Sequence, residues 1–286
     1  MSVPAEALDR VETAPATTGS TFFWPMLLLP PSQRGAMFAI YRFCREVDDI
    51  VDLPGDPDEK QARLAAWRDR LGALYLGMPP QGRVETGLQA AIRRYRLPRA
   101  ELEAVVDGVA MDLSDMRAPP LDVFRTYCRR VAGAVGLLSI HVFDRADPDT
   151  EGFALALGEA LQATNILRDL RDDAAIGRLY VPREYLLQAD IPDTLPDAVL
   201  GHARFGTACE RLAEHAEARY LEADDFLRHW PKRRLWSARA MMVLYRRLLD
   251  RMRARGWAET GRPTLLGKVE RAAVTLRCLA GQPPGR

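Results

Sequence analysis

Two runs of aspartates constrain this chain more than any other feature. In Ala36 to Pro54, AMFAIYRFCREVDDIVDLP, a helical reading sets Tyr41, Arg45, Asp48 and Asp52 at steps of four, three and four. A phenol, a guanidinium and two carboxylates then lie on one face. Phe38, Ile40, Val47, Ile50 and Val51 fill much of the remaining girth, which places the helix in the interior. In LQATNILRDLRDD, Gln162, Asn165, Asp169 and Asp173 step by three, four and four, with Leu161, Ile166, Leu167 and Leu170 around them. A lone D-x-x-x-D pair is ordinarily a solvated acidic face. Two such ladders on apolar helices, each beside arginines, call instead for a cation between their carboxylates. Oxygen ligands at this spacing suit Mg²⁺, which binds a few carboxylates together with substrate phosphates. The expectation is two ladders facing across a cavity, holding metal ions that in turn hold a diphosphate.

The rest of the chain reads as helix. No stretch alternates with period two, and no strand–helix–strand rhythm appears. Residues 1–18 are expected to be a flexible leader and 19–286 a single all-α domain. With 48% of its 286 residues apolar, the chain can fill a substantial core. The first long helix is expected to open at Pro30-Pro31-Ser32 with Ser32 as its cap and to stop at Pro54-Gly55. Further helices are expected over 58–76, 84–96, 99–116 and 121–143, then from Asp147-Pro148 to Gly177, and over 197–229, 232–255 and 265–280. Small residues at Ala132, Gly133, Ala134 and Gly136 signal close approach, either of another helix or of a ligand tail.

Net charge is +1 and the arginines are scattered, so nucleic-acid binding is not expected and any anion must be captured locally. Cys44, Cys128, Cys209 and Cys278 lack metal-ligand spacing and read as reduced, packed thiols of a cytoplasmic protein. The N-terminus has no secretory pattern, and the longest apolar run, Phe22 to Leu29, is too short to span a bilayer. His141, His202, His215 and His229 have no ligand spacing, and phosphate-loop, GxGxxG and GxSxG motifs are missing. What remains is ionisation of a bound diphosphate, assisted by metal ions, in an apolar cavity that keeps water from a carbocation. Arg45, Arg168 and Arg178 beside the ladders suit phosphate oxygens or, equally, the adjacent aspartates. Tyr127, Tyr180, Tyr245 and Asp112 admit ordinary packing roles on this evidence alone.

Taken together, SxFxW…LLP, YRFCREVDDIVD, YCRRVAGAVG and QATNILRDLRDDAAIGRLYVP resemble the squalene and phytoene synthases, in order, over residues 19 to 280. The run Asp169 to Pro182, D-x-x-x-D-x-x-x-G-R-x-Y-x-P, is the most specific of these. DGVAMDL and RRVAGAVGLLSIHVF are most similar to the bacterial branch that makes presqualene diphosphate for hopanoids. The resemblance implies an all-α isoprenoid-synthase bundle around a central cavity. It implies a prenyltransferase that condenses two farnesyl diphosphates head to head. Asp48, Asp52, Asp169, Asp173 and Asn165 would hold Mg²⁺. Ser20, Tyr41, Arg45, Gln162, Arg168, Arg178, Tyr180 and Tyr245 would lie near the diphosphates with Asn165, and Tyr127 would handle a proton or stabilise a cation. Lys268 matches only loosely. Downstream isoprenoid enzymes and the inner face of a membrane are the further contacts implied.

Three positions depart from the family's pattern: Arg42, Thr21 and Ala163, the last expected to leave extra room beside the ladder. The alternatives are a phytoene-type or dehydrosqualene-type synthase, a complete NADPH-dependent squalene synthase and, outside the class, an isoprenoid-diphosphate-binding protein, which would not need four aspartates.

Overall fold

The computed structural model describes residues 23–143, 146–231, 235–258 and 264–282, without the side chains of residues 23 and 24. Among the described residues there is no strand, only an isolated parallel bridge between Arg117 and Leu179. The helices are α1 (Phe23–Leu27), α2 (Pro31–Asp52), α3 (Pro57–Tyr75), α4 (Arg83–Tyr95) and α5 (Arg99–Ala110), the last followed by a 3₁₀ turn (Met111–Leu113). Next come α6 (Leu121–Cys128), a π-helical turn (Arg129–Gly133) and α7 (Ala134–Val142). The second half contains α8 (Pro148–Ala175), α9 (Arg183–Gln188), α10 (Pro196–Leu200), α11 (Phe205–Arg228), α12 (Trp236–Arg255) and α13 (Lys268–Leu279).

Local chemistry sets several boundaries. The Asp147 carboxylate accepts the Thr150 amide at 2.9 Å, and the Asp147 amide donates to the Thr150 hydroxyl at 2.9 Å. That reciprocal cap, with Pro148 in the first turn, starts α8. Asp56 caps α3 through the amides of Asp58 and Glu59. The expected cap at Ser32 is not formed. Pro30 takes that position without a side-chain bond, because Pro31 already supplies the fixed φ of a first helical residue. The helix expected over 99–116 ends at Ala110, and the one expected from 197 breaks after Leu200, where residues 201–204 form a turn.

Two cores flank the centre. One gathers Phe38, Phe43, Leu64, Trp67, Leu88 and Val106 from α2 to α5. The other gathers Phe124, Phe153, Leu167, Leu212, Tyr220 and Leu249 around α8, α11 and α12. Buried inside the second, Thr164 and Tyr220 share a hydroxyl hydrogen bond of 2.9 Å that ties α8 to α11. The small residues noted in the sequence permit the closest crossing. A Cβ on Gly158 would lie 2.8 Å from the backbone of Gly133, and one on Gly136 would lie 2.8 Å from the Ala154 carbonyl oxygen. The helix-packing reading therefore holds, and since Ala132, Gly136 and Gly158 also line the central cavity, the same surface floors a ligand space.

Candidate active site

Helices α2 and α8 bring their ladders to one polar pocket of about 280 Å³, lined by Asp48 and Asp52 from the first and Gln162, Asn165, Asp169 and Asp173 from the second. The helices are interior on their apolar sides, where Phe43, Val47, Ile166 and Leu170 are buried, and open on the carboxylate side. Arg45, Arg168 and Arg178 line the same pocket, as do Asp112, Tyr127 and Tyr180.

The arginines are paired with carboxylates in this state. Arg178 donates to Asp52 at 2.8 Å, joining the loop after α8 to the end of α2, and its other nitrogen reaches the Val51 carbonyl at 3.5 Å. Arg168 grips Asp169 with two bonds of 2.7 and 2.5 Å and also bonds Tyr245. Arg45 bonds Asp49, off the ladder, at 3.0 Å.

Around the Arg117–Leu179 bridge, the Leu179 amide donates to Met116 at 3.0 Å and the Ala118 amide to Leu179 at 2.7 Å. This seats Tyr180 over the 3₁₀ turn, where its hydroxyl donates to Asp112 at 2.7 Å. Tyr127 reaches the other Asp112 oxygen at 3.4 Å, and the two phenol rings stack at 5.0 Å. Asp112 is the site residue the sequence reading did not assign. It stands alone on a short turn, with partners 15 and 68 residues away, so no local spacing marks it.

Charge in the pocket is crowded. Burial pushes the Asp48 carboxyl up to about 7, with Asp52 and Asp112 adding repulsion against the pull of Arg45. Burial likewise raises Asp173 to about 7, reinforced by Asp169, and Asp112 to about 6 despite Arg178. Burial also raises the phenols of Tyr127 and Tyr180, which stay protonated at neutral pH.

Among the described residues, no three carboxylate, histidine or cysteine groups converge closely enough to hold a metal ion by themselves. The donors nevertheless fit a cation that completes its shell with ligand oxygens. Carboxylates and amide oxygens are hard donors, a cation would relieve the burial and mutual repulsion that hold the Asp48 and Asp173 carboxyls up, and the Asn165 Oδ1 is buried without a partner.

A second, apolar cavity of about 640 Å³ continues from the first, sharing Cys44, Arg45, Asp48, Gln162, Asn165 and Arg168 with it. That size is typical of a small-molecule site. Its walls include Met37, Ile40, Val135, Phe153, Leu157 and Leu248, and Tyr41 and Tyr245 stand near its polar end. Burial raises the Tyr245 phenol to about 12, against the pull of Arg168. Ser20 lies outside the described residues. Ala163 gives no extra room: it is fully buried in the second core, because one step past Gln162 turns its side chain away from the cavity. Cys44, Cys128, Cys209 and Cys278 are free thiols, three of them buried.

A sequence model of the squalene/phytoene synthase family matches residues 16–276. A presqualene diphosphate synthase of Sinorhizobium fredii is 40% identical over 274 residues, covering 96% of this chain and 98% of its own. One of Rhodopseudomonas palustris is 41% identical, covering 91% and 92%. In three dimensions, a dehydrosqualene synthase superposes with a TM-score of 0.80 at 22% identity, over 96% of this chain and 95% of that one. The squalene synthase HpnC of Alicyclobacillus acidocaldarius superposes with a TM-score of 0.72 at 24% identity, over 88% and 92%. The fold is the all-α fold of these enzymes.

Proposed function

The chain belongs to the squalene/phytoene synthase family, and from that premise we propose that it condenses two farnesyl diphosphates head to head, giving presqualene diphosphate and free diphosphate. The observation that carries this reading is the continuity of a carboxylate-lined pocket with an apolar cavity. An anionic head and a long hydrocarbon tail can occupy the two at once.

The family processes prenyl diphosphates and generally uses a divalent metal. Asp48, Asp52, Asn165, Asp169 and Asp173 are the residues that would hold Mg²⁺ here. When bound, it neutralises the charge of the departing diphosphate. Arg45, Arg168 and Arg178 exchange their carboxylate partners for diphosphate oxygens as substrate enters, with Gln162, Tyr180, Tyr245 and Tyr41 completing the polar end. Ser20 is kept in this set on the family resemblance alone.

The donor's C1–oxygen bond breaks, and its allylic cation adds across the C2–C3 double bond of the acceptor. Loss of a proton then closes the cyclopropane, and the acceptor's diphosphate stays on the product. The apolar walls exclude water that would trap the cation. The Tyr127 phenol serves as a relay for that proton: it can receive one while passing its own to Asp112, a carboxylate held within reach of both phenols. The face of the same ring steadies positive charge.

Among the described residues no helix is long and apolar enough to cross a membrane. We place the chain in the cytoplasm, in contact with the inner face of a membrane and with the enzymes that consume its lipid product.

The test is incubation of purified protein with farnesyl diphosphate and Mg²⁺, with and without NADPH, and product identification by mass. A C30 diphosphate in both tubes supports the proposal. Squalene formed only with NADPH identifies a complete squalene synthase, and a C30 triene formed without it identifies the dehydrosqualene type. Turnover confined to geranylgeranyl diphosphate would indicate the phytoene type. Tight binding without turnover would leave a binding protein.

A further inference from the structure

Helix α13 presents an apolar strip that nothing among the described residues covers. Its inner side packs Val274 and Cys278 against Ala240, Leu244 and Leu266. Around the opposite side, Val269, Ala272, Ala273, Leu276, Leu279 and Ala280 recur at helical spacing as one unbroken apolar arc about a third of the circumference wide. Val269 is 85% exposed and Leu276 56%, and Leu265, just ahead of the helix, is 73% exposed. An isolated exposed leucine needs no explanation, but a continuous strip on one amphipathic helix does.

Charge narrows the choice of partner. Lys268 borders the strip on one edge and Arg277 on the other, both exposed. The only acid on α13, Glu270, is turned inward and held by Arg247 at 3.3 Å and Arg251 at 2.7 Å. The strip is thus flanked by a cation on each side, and the one acid of the helix lies off it, held by Arg247 and Arg251. A second copy of the chain is a poor match, since its own strip carries the same two cations and offers no free carboxylate of α13 to meet them. An apolar strip between two cationic edges fits the head-group boundary of an anionic bilayer, where acyl chains take the strip and phosphates take the edges.

The position of the strip adds an independent argument. Leu265, on the exposed patch, also lines the large apolar cavity together with Leu266, Thr264 and Arg271 of the same segment. Arg271 sits on the inner side of α13, with its Nε buried and unpartnered at that edge. The cavity therefore reaches the surface beside the strip.

We propose that the outer face of α13, with Leu265, docks on anionic phospholipid bilayers and sets the apolar cavity against the membrane, so that prenyl chains pass between the two without crossing water. This goes beyond the condensation reaction. Docking is read without substrate, so it can fail while the assigned reaction stands, and the reverse.

The full chain is floated with phosphatidylcholine vesicles with or without phosphatidylglycerol. The expected result is flotation with phosphatidylglycerol and weak flotation without it. Lys268→Gln should lower the partition coefficient about fivefold at low ionic strength, and Arg277→Gln, whose guanidinium is also engaged within the protein, should lower it less. Val269→Asp combined with Leu276→Asp should remove binding while leaving the melting temperature and the turnover of detergent-dispersed substrate unchanged, because both side chains are solvent-facing and outside the site. Failure of the wild-type chain to float, or flotation unaffected by the double substitution, overturns the proposal. Light scattering provides the remaining discriminator: a double substitution that splits a dimer without changing flotation assigns the strip to a second copy and likewise overturns it.

Discussion

Gly158→Ala probes the crossing on which the cavity floor depends. The new methyl carbon would lie 2.8 Å from both the Cα and the N of Gly133 and 3.0 Å from the carbonyl carbon of Ala132. These are backbone atoms and cannot swing aside, so α8 and the π-helical turn must separate by roughly half an ångström or more to restore ordinary contact. Overpacking of this kind costs about 1–3 kcal/mol, and the rigid neighbours argue for the upper part of that range. Replacing a helical glycine by alanine returns up to about 1 kcal/mol, leaving a net loss of about 1–2 kcal/mol. At about 2–4 °C per kcal/mol for larger domains, the melting temperature should fall by roughly 2–8 °C. Gly72→Ala is the control. Its nearest neighbour is the end of the exposed Arg99 side chain at 3.3 Å, which can shift by a few tenths of an ångström while keeping its bond to Glu103, so the propensity gain should survive and the melting temperature should hold or rise. Gln162 and Asn165 follow Gly158 by one and two turns on α8, so Gly158→Ala should also lower kcat/KM by about tenfold or more, whereas Gly72→Ala should not. Equal stability and equal activity in the two variants would refute the reasoning.

Three further outcomes follow from the geometry. Thr164→Val strands the buried Tyr220 hydroxyl and should cost about 1–3 kcal/mol in denaturant unfolding with KM unchanged; a loss below a few tenths would contradict the role of that bond. Asp48 and Asp173, raised to about 7, keep protons in the folded protein that the unfolded chain, titrating near 4, gives up. Metal-free protein should therefore lose stability as pH rises from about 4 through 7, and Asp173→Asn should flatten that slope in thermal melts, whereas an identical slope would remove the assignment. Val135→Phe, on the cavity wall, should depress kcat/KM for farnesyl diphosphate more than for the shorter geranyl diphosphate, and an equal effect on both would mean that tails do not lie against α7.

Much of this architecture is legible in the sequence because its determinants are local. Ladder spacing, apolar girth and Pro/Gly stops recover both carboxylate helices, and the Asp147–Pro148 start of α8 shows directly. What escapes is set by contacts between distant segments. The Arg178–Asp52 bond spans 126 residues, and Asp112 gains its meaning only when the Arg117–Leu179 bridge lays Tyr180 across it. The Gly133–Gly158 contact shows in the sequence only as small residues of undecided purpose. Ser32 forms no cap because Pro31 already supplies the first helical residue, and Ala163 opens no room because one residue past Gln162 is about 100° further round the helix, facing the core.

The central claim is that the two ladders bind a diphosphate through divalent metal while the apolar cavity takes the tail. Calorimetric titration of a non-ionisable thio analogue of farnesyl diphosphate, with and without Mg²⁺, tests it most directly. Binding that requires Mg²⁺, and that is largely lost in both Asp48→Asn and Asp169→Asn, is the result predicted. Tight binding that persists without metal and is indifferent to either substitution would contradict the account.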